Sequence, residues 1–293
     1  MRRERRAAVA FAGPALVAAT LFFVVPTAAA MVLSLTDFDI YALADLRDLR
    51  WVGLANYRAL LGDPLFGRAL LNTLVFACVG VPAALAASLG AALLIEARTV
   101  RWKAVWRVAL FAPYVTTLIA TAVLWRYVLD ARYGLLNRAL GVVGIAPVDW
   151  LGDPRTSIPA ITLFIVWKNF GYNMIVFSAA LTAVPSDLMD AARLDGAGAW
   201  MRFRHVVLPA IGPVLLLAAL LSMANFLQIF DEPYVMTKGG PAGATVTILY
   251  FMVQQGFEWW SLGYASAVAV VLFVLTLAVT AVQVRLGRRR EWI

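Results

Sequence analysis

Histidine, cysteine and lysine are nearly missing from this chain of 293 residues, and each shortage closes off a chemistry. His205 is the single histidine, so neither a histidine-based metal cluster nor a Ser-His-Asp triad can be assembled. Cys78 is the single cysteine, which rules out a disulfide within the chain; inside an apolar run it reads as a small buried residue. The lysines are Lys103, Lys168 and Lys238, and none follows a glycine, so the phosphate-cradling pattern Gly-x-x-x-x-Gly-Lys-Ser/Thr is absent. If the protein uses ATP, another chain must bind it. Charge is scarce as well: charged residues are 14% and hydrophobic residues 62%, with a mean hydropathy of +0.81, the composition of an integral membrane protein. No constellation of residues suggests a catalytic centre or a metal site.

What is abundant is apolar sequence in long runs. Six stretches approach the ~20 residues a helix needs to cross the hydrocarbon core: residues 10–34, 70–95, 108–129, 158–183, 209–230 and 262–284. Continuous runs point to helices, because a membrane barrel would show weak alternation in short segments. The fold class expected is all-α, a polytopic membrane protein with six transmembrane helices. The first run follows basic residues and contains Ala28-Ala-Ala30, which is reminiscent of a signal peptide. It is too long for one, and the expectation is that it stays as the first span.

Between the fourth and fifth runs lies a polar interruption with Asp187, Asp190, Asp195, Arg193, Arg202, Arg204 and His205. A charge at mid-bilayer costs roughly 2.5–3.5 kcal/mol or more, so this segment lies in water or against protein. Small residues around Gly196 suit a tight bend that another surface can approach closely. His205 reads as a solvated or docking-face residue. Arginine and lysine assign its side: the N-terminal tail, the loop around Arg98–Arg107, the polar interruption and the C-terminal tail together hold 15 basic residues against 6 acids. The opposite side holds 9 against 11. Both termini and the polar loop are therefore expected in the cytoplasm. The net charge of +8 reflects this topology and contact with anionic lipid; it is not a nucleic-acid footprint.

The segment Asp190-Ala-Ala-Arg-Leu-Asp-Gly-Ala, continued by Phe203 and Leu208-Pro209, closely resembles the "EAA" loop of binding-protein-dependent ABC importer permeases. Ala191, Ala192, Asp195, Gly196, Ala197, Phe203, Leu208 and Pro209 fall in register, while Asp190 stands where the family usually has glutamate. Further segments resemble sugar-importer permeases of the maltose and glycerol-3-phosphate type: Trp51-Val-Gly-Leu-Ala-Asn56-Tyr57, Asp63-Pro-Leu-Phe66, Asn72-Thr73, Phe111-Ala-Pro113-Tyr114, Gly134-Leu-Leu-Asn137, and Thr237-Lys-Gly239-Gly240-Pro241 with Thr245. The Gly-Gly-Pro segment is similar to that of the first-subunit type of the permease pair. The resemblance implies the type I ABC importer permease fold. In it, residues 1–35 would be a basic tail and an added outer helix, 36–69 an extracytoplasmic loop, 70–284 a five-helix transport core with a coupling loop at 185–209, and 285–293 a basic cytoplasmic tail.

The same resemblance implies partners: a second homologous permease subunit, two ATPase subunits that carry ATP and Mg, an extracytoplasmic solute-binding protein, and membrane lipid. This chain itself would hold no cofactor. The setting would be a bacterial or archaeal plasma membrane. Solute sites of helical transporters lie near the bilayer midplane. Two helix faces are candidates there: Trp167, Phe170, Gly171 and Met174 on the fourth run, and Ser222, Asn225, Phe226 and Ile229 on the fifth. The alternative for each residue is helix–helix packing. Asn225 stands where the family resemblance leads one to expect an aromatic ring. Lys168, about 15 Å into its span, could contact a solute, reach a backbone carbonyl or pair with an acid.

The expected function is the permease subunit of an ATP-driven importer for a sugar or oligosaccharide. Glycerol phosphate or another polar solute is the alternative within the class. An ion-coupled secondary transporter would need intramembrane acids, and none is evident near mid-span. A lipid-head-group transferase would need clustered acids, for which only Asp187, Asp190 and Asp195 offer themselves.

Overall fold

Short capping signals decide where the long helices begin. A computed structural model describes residues 2–44, 49–97, 99–290 and 292; Arg98 and Glu291, counted above among the cytoplasmic charges, lie outside them. The first span is α1 (Arg2–Ala19), a π-helical turn at Thr20–Val24, and α2 (Val25–Leu33). None of the apolar window within Phe11–Leu33 is buried, which suits lipid contact all round. Short helices α3 (Ile40–Ala44) and α4 (Ala55–Gly62) follow. Asp63 then accepts hydrogen bonds from the N–H groups of Leu65 (2.8 Å) and Phe66 (3.3 Å), and Pro64 supplies the first residue of α5 (Pro64–Glu96).

After α5 come α6 (Lys103–Val115) and α7 (Leu118–Val128), then α8 (Leu135–Val142). Asp153 accepts from Arg155 N–H at 2.8 Å ahead of Pro154, and α9 (Pro154–Thr182) starts there. The polar region folds as α10 (Ser186–Leu194), α11 (Ala199–Arg202), a π-helical turn at Phe203–Val207 and α12 (Leu208–Ala210). The rest is α13 (Gly212–Leu227), α14 (Asp231–Met236), α15 (Ile248–Val253), another π-helical turn at Gln254–Glu258, and α16 (Leu262–Arg289).

Among the described residues, four helices are long and apolar enough to cross a membrane, and the number rises to six if each of two bent pairs makes one span. The third and fifth runs correspond to those pairs. α6 and α7 meet at 97°, because Thr116 and Thr117 adopt extended backbone angles just beyond Pro113. The helix that opens at Ala199 turns by 71° at Ile211 before α13. α13 ends at Leu227 and a further short helix follows, so the expected span 209–230 stops early.

The chain divides into two compact units. In the first, Met1–Gly67 with Phe251–Val274, the segment Trp51–Tyr57 clamps the end of α2. Asn56 donates to the carbonyls of Ser34 (2.9 Å) and Thr36 (2.8 Å), and the hydroxyls of Tyr57 and Ser34 are 2.7 Å apart. Those contacts are the physical content of the Trp51–Tyr57 motif. In the second unit, Arg68–Tyr250 with Leu275–Ile293, motifs distant in sequence meet. Asn72 donates to the carbonyls of Gly243 (3.2 Å) and Val246 (2.9 Å), and Thr73 Oγ1 accepts from Ile248 N–H at 2.9 Å. The turn they hold is stiffened by Thr237 and Thr245, whose hydroxyls are 2.6 Å apart, and Gly239 there has φ +77°.

Asn137 organises the loop before α9. Its Nδ2 donates to the carbonyls of Asp130, Ala131 and Val148, and its Oδ1 accepts from Val148 N–H and from Trp150 Nε1 at 2.9 Å. Replacing Asn137 by leucine leaves the part-buried donors Val148 N–H and Trp150 Nε1 without their acceptor. Purified protein is expected to lose about 2 kcal/mol of stability, read as a lower unfolding midpoint in detergent. An unchanged midpoint would show that these bonds are exchanged for water at no cost.

Candidate functional site

The polar loop shows how a bend is built from sequence. At the end of α10, Gly196 N–H bonds to Arg193 O at 3.0 Å and Ala197 N–H to Ala192 O at 2.9 Å. This is the Schellman arrangement, and its left-handed residue is Gly196 with φ +78°. Glycine adopts that angle without the Cβ penalty of other residues. Asp190 pairs with Arg193 one turn on, and Arg202 donates to the carbonyl of Ala197, tying α11 back to the bend. The surface so displayed is not wholly polar. Leu194 is 90% exposed and Trp200 70%, with Leu188 and Met201 also uncovered. Asp195 is exposed and Ala197 partly covered, whereas Phe203 stacks at a tilt on Trp200 with ring centres 5.6 Å apart. Pro209 is the second residue of the short α12. Apolar groups on a charged loop cost solvation unless a partner covers them.

A second feature is a cavity of about 450 Å³ between α9, α13 and α14. From α13 and just beyond it come Ser222, Asn225, Phe226, Gln228 and Ile229; from α9 come Ile165, Asn169, Tyr172 and Asn173. Tyr114 of α6 stacks on Tyr172 at 5.2 Å, and Asp231 and Glu232 of α14 close one wall. Asn173 donates to Ser222 Oγ at 3.1 Å across the helix pair. The amides of Asn225 and Gln228 have no hydrogen-bond partner among the described residues.

All the residues expected on the fifth-run face, Ser222, Asn225, Phe226 and Ile229, therefore line this cavity. Those expected on the fourth run do not. Trp167 packs against Trp125 at 5.2 Å and Phe164 at 6.4 Å in the aromatic core. Met174 is fully buried against Phe177 and Ala218. Phe170 is half-buried, and its carbonyl accepts from Ser88 Oγ. Gly171 meets the α6 backbone so closely that a Cβ there would lie 2.3 Å from Leu110 O. The inward face of α9 is instead 165, 169, 172 and 173, rotated from the expected one. A helix in which nearly every position is apolar or aromatic leaves its rotation undecided by pattern.

Lys168 resolves its three alternatives in favour of carbonyls. Its Nζ donates to Pro113 O (3.1 Å) and Thr116 O (2.7 Å) at the break between α6 and α7. Carbonyls in the last turn of a helix lack intrahelical partners, and an ammonium satisfies them and complements the helix dipole. The bend and the intramembrane lysine explain each other. The cavity acids were missed because they sit just past the expected end of the fifth run. Glu232 is buried, and that burial pushes its carboxyl up to about 7; its own backbone N–H and Lys168 pull the other way, and Asp231 adds to the rise. At the opposite extreme, Asp130 is held below the usual carboxylate range by the N–H groups of Tyr133 and Arg132.

Comparison with known proteins agrees with this architecture. The sulfoquinovosyl glycerol transport system permease protein SmoG of Agrobacterium fabrum is 33% identical over 289 residues, covering 98% of this chain and 92% of its own. The trehalose/maltose transport system permease protein MalF of Thermococcus litoralis is 35% identical over 244 residues, covering 82% of this chain and 81% of its own. A solved structure of a bacterial alginate ABC transporter in complex with alginate pentasaccharide-bound periplasmic protein superposes with a TM-score of 0.83 at 19% identity. The superposition covers 98% of this chain and 96% of that one and shows a common fold, the all-α type I importer permease architecture. Residues 64–292 match the family described as binding-protein-dependent transport system inner membrane component, and the chain belongs to that family.

Proposed function

We propose that this permease carries a sugar or oligosaccharide through the cavity between α9 and α13, driven by ATP hydrolysis on separate chains. The observation that carries this reading is the cavity's lining: amides at Asn225 and Gln228, without partners among the described residues, beside the stacked rings of Tyr114 and Tyr172. Amides fork between hydroxyl pairs, and aromatic faces stack on sugar C–H surfaces. Relatives named for sulfoquinovosyl glycerol and for trehalose and maltose support a carbohydrate solute. A second permease would complete the core formed by residues 70–284, and a binding protein would deliver solute from outside. Two ATPase subunits holding ATP and Mg would seat on the loop at 185–209 through Asp190, Ala191, Ala192, Asp195, Gly196, Ala197, Phe203 and Pro209. Both termini lie in the cytoplasm in this reading, because arginine concentrates on the side of that loop.

The test is uptake by the assembled transporter in proteoliposomes with its binding protein. Asn225→Ala and Gln228→Ala are expected to lower uptake about five- to a hundredfold, the worth of one or two lost hydrogen bonds. Assembly with the ATPases should be unchanged. Trp167→Ala, in the aromatic core, should instead lower the amount of folded protein. Normal uptake by both amide variants would place the solute path elsewhere.

A further inference from the structure

The cavity wall is charged with one sign only. Asp231 and Glu232 line it, and among the described residues no lysine, arginine or histidine does. The base one would look for is Lys168, but it does not line the cavity: its ammonium donates to the carbonyls of Pro113 and Thr116, and its charge acts on Glu232, favouring that group's ionised form. The remaining polar lining is amide, hydroxyl and phenol. Such groups both donate and accept, which matches sugar hydroxyls that do the same. Carboxylates only accept, and they are the strongest acceptors for a donating hydroxyl. A phosphate, sulfate or carboxylate needs the reverse, a cluster of donors with a positive charge among them. In a cavity partly screened from water, an anion beside the Asp231 carboxylate is repelled rather than bound, and Glu232, which burial raises to about 7, adds to that repulsion in its ionised form.

Resting on the proposed solute path, we infer that this cavity selects uncharged polyhydroxyl solutes and excludes anionic ones, with Asp231 as the principal selecting group and ionised Glu232 beside it. Asn225 and Gln228 then recognise hydroxyls that the carboxylates help to orient. The inference separates this chain from relatives whose names denote anionic cargo, among them the sn-glycerol-3-phosphate permease UgpA of Pectobacterium atrosepticum and SmoG, named for a sulfo sugar. Among carbohydrate solutes, it assigns the neutral ones to this cavity.

The potential can be read without knowing the solute. In a Cys78→Ala background, Asn225→Cys places a single thiol on the cavity wall of the assembled transporter. Its modification by anionic sulfonatoethyl and neutral hydroxyethyl methanethiosulfonates is timed, each rate being normalised to that with a free small thiol. The anionic reagent is expected to react about tenfold more slowly than the neutral one. Asp231→Asn with Glu232→Gln should remove most of that difference; each single exchange, assayed separately, guards against loss of the double variant. Equal normalised rates in the unaltered cavity would overturn the selectivity while leaving the solute path standing. No reaction with either reagent would overturn the path itself.

Discussion

Leu194→Asp is expected to abolish coupled transport while leaving the permease folded. Leu194 ends α10 immediately before the Gly196 bend and is 90% exposed, so an aspartate there meets only water in the free chain. Its cost appears when a partner covers the loop. An unpaired carboxylate buried at an interface loses several kcal/mol of hydration, enough to weaken docking about a hundredfold or more. The checks are co-purification with the ATPase subunits and ATP hydrolysis stimulated by loaded binding protein. Both should fall to background, with expression and the unfolding midpoint unchanged. Ala197→Asp is expected to act the same way, since Ala197 sits at the bend and its backbone N–H and carbonyl, not its side chain, make the bonds there. If Leu194→Asp hydrolyses ATP normally in response to loaded binding protein, the loop is not the docking surface.

The second large effect is on stability. Gly171 lies where α9 crosses α6, and an added Cβ would stand 2.3 Å from Leu110 O and 2.9 Å from Phe111 Cα. Backbone atoms cannot swing aside as a side chain can. Gly171→Ala is therefore expected to cost about 3–5 kcal/mol, at the upper end of overpacking effects. Gly90 in α5 is the control, because nothing lies within 4 Å of the Cβ an alanine would place there. Gly90→Ala should be neutral or stabilising by about 0.5–1 kcal/mol, the helix propensity that glycine forfeits. Thermal unfolding of the two purified variants in detergent separates them. Equal midpoints would mean that the α6–α9 crossing yields without cost.

The contrast between these glycines shows what pattern reading reaches. Both lie in apolar runs, and nothing local distinguishes them; only the crossing of α6 over α9 makes one indispensable. The same holds for Lys168. Its depth in the fourth run was legible from spacing, but its partners are carbonyls 55 and 52 residues earlier, freed by a bend that hydropathy does not register. Hydropathy averages over a window, and a break of two residues at Thr116 and Thr117 barely alters the mean.

The rotation of α9 was hidden for a related reason. α13 presents Ser222 and Asn225 against an otherwise apolar background, so that face could be read directly, whereas Gln228, just beyond the helix end, was not on it. α9 carries Trp167, Lys168, Asn169, Tyr172 and Asn173 in close succession, with polar atoms on several sides. Which of them turns toward a cavity depends on which already have partners.

By itself the sequence determined the class, the long apolar helices and the family. Lipid solvation acts on each run locally, and the loop motif's residues lie close together in the chain. It also determined the bend at Gly196, because the left-handed angle and its two hydrogen bonds involve neighbours within a turn. Tertiary structure alone decided that Asn72 would hold the Gly243–Val246 segment, that Lys168 would cap a broken helix, and that Asp231 and Glu232 would face a cavity. Each of these depends on contacts between residues far apart in sequence. For such contacts the free energy lies in the geometry of approach, and composition and periodicity carry no record of it.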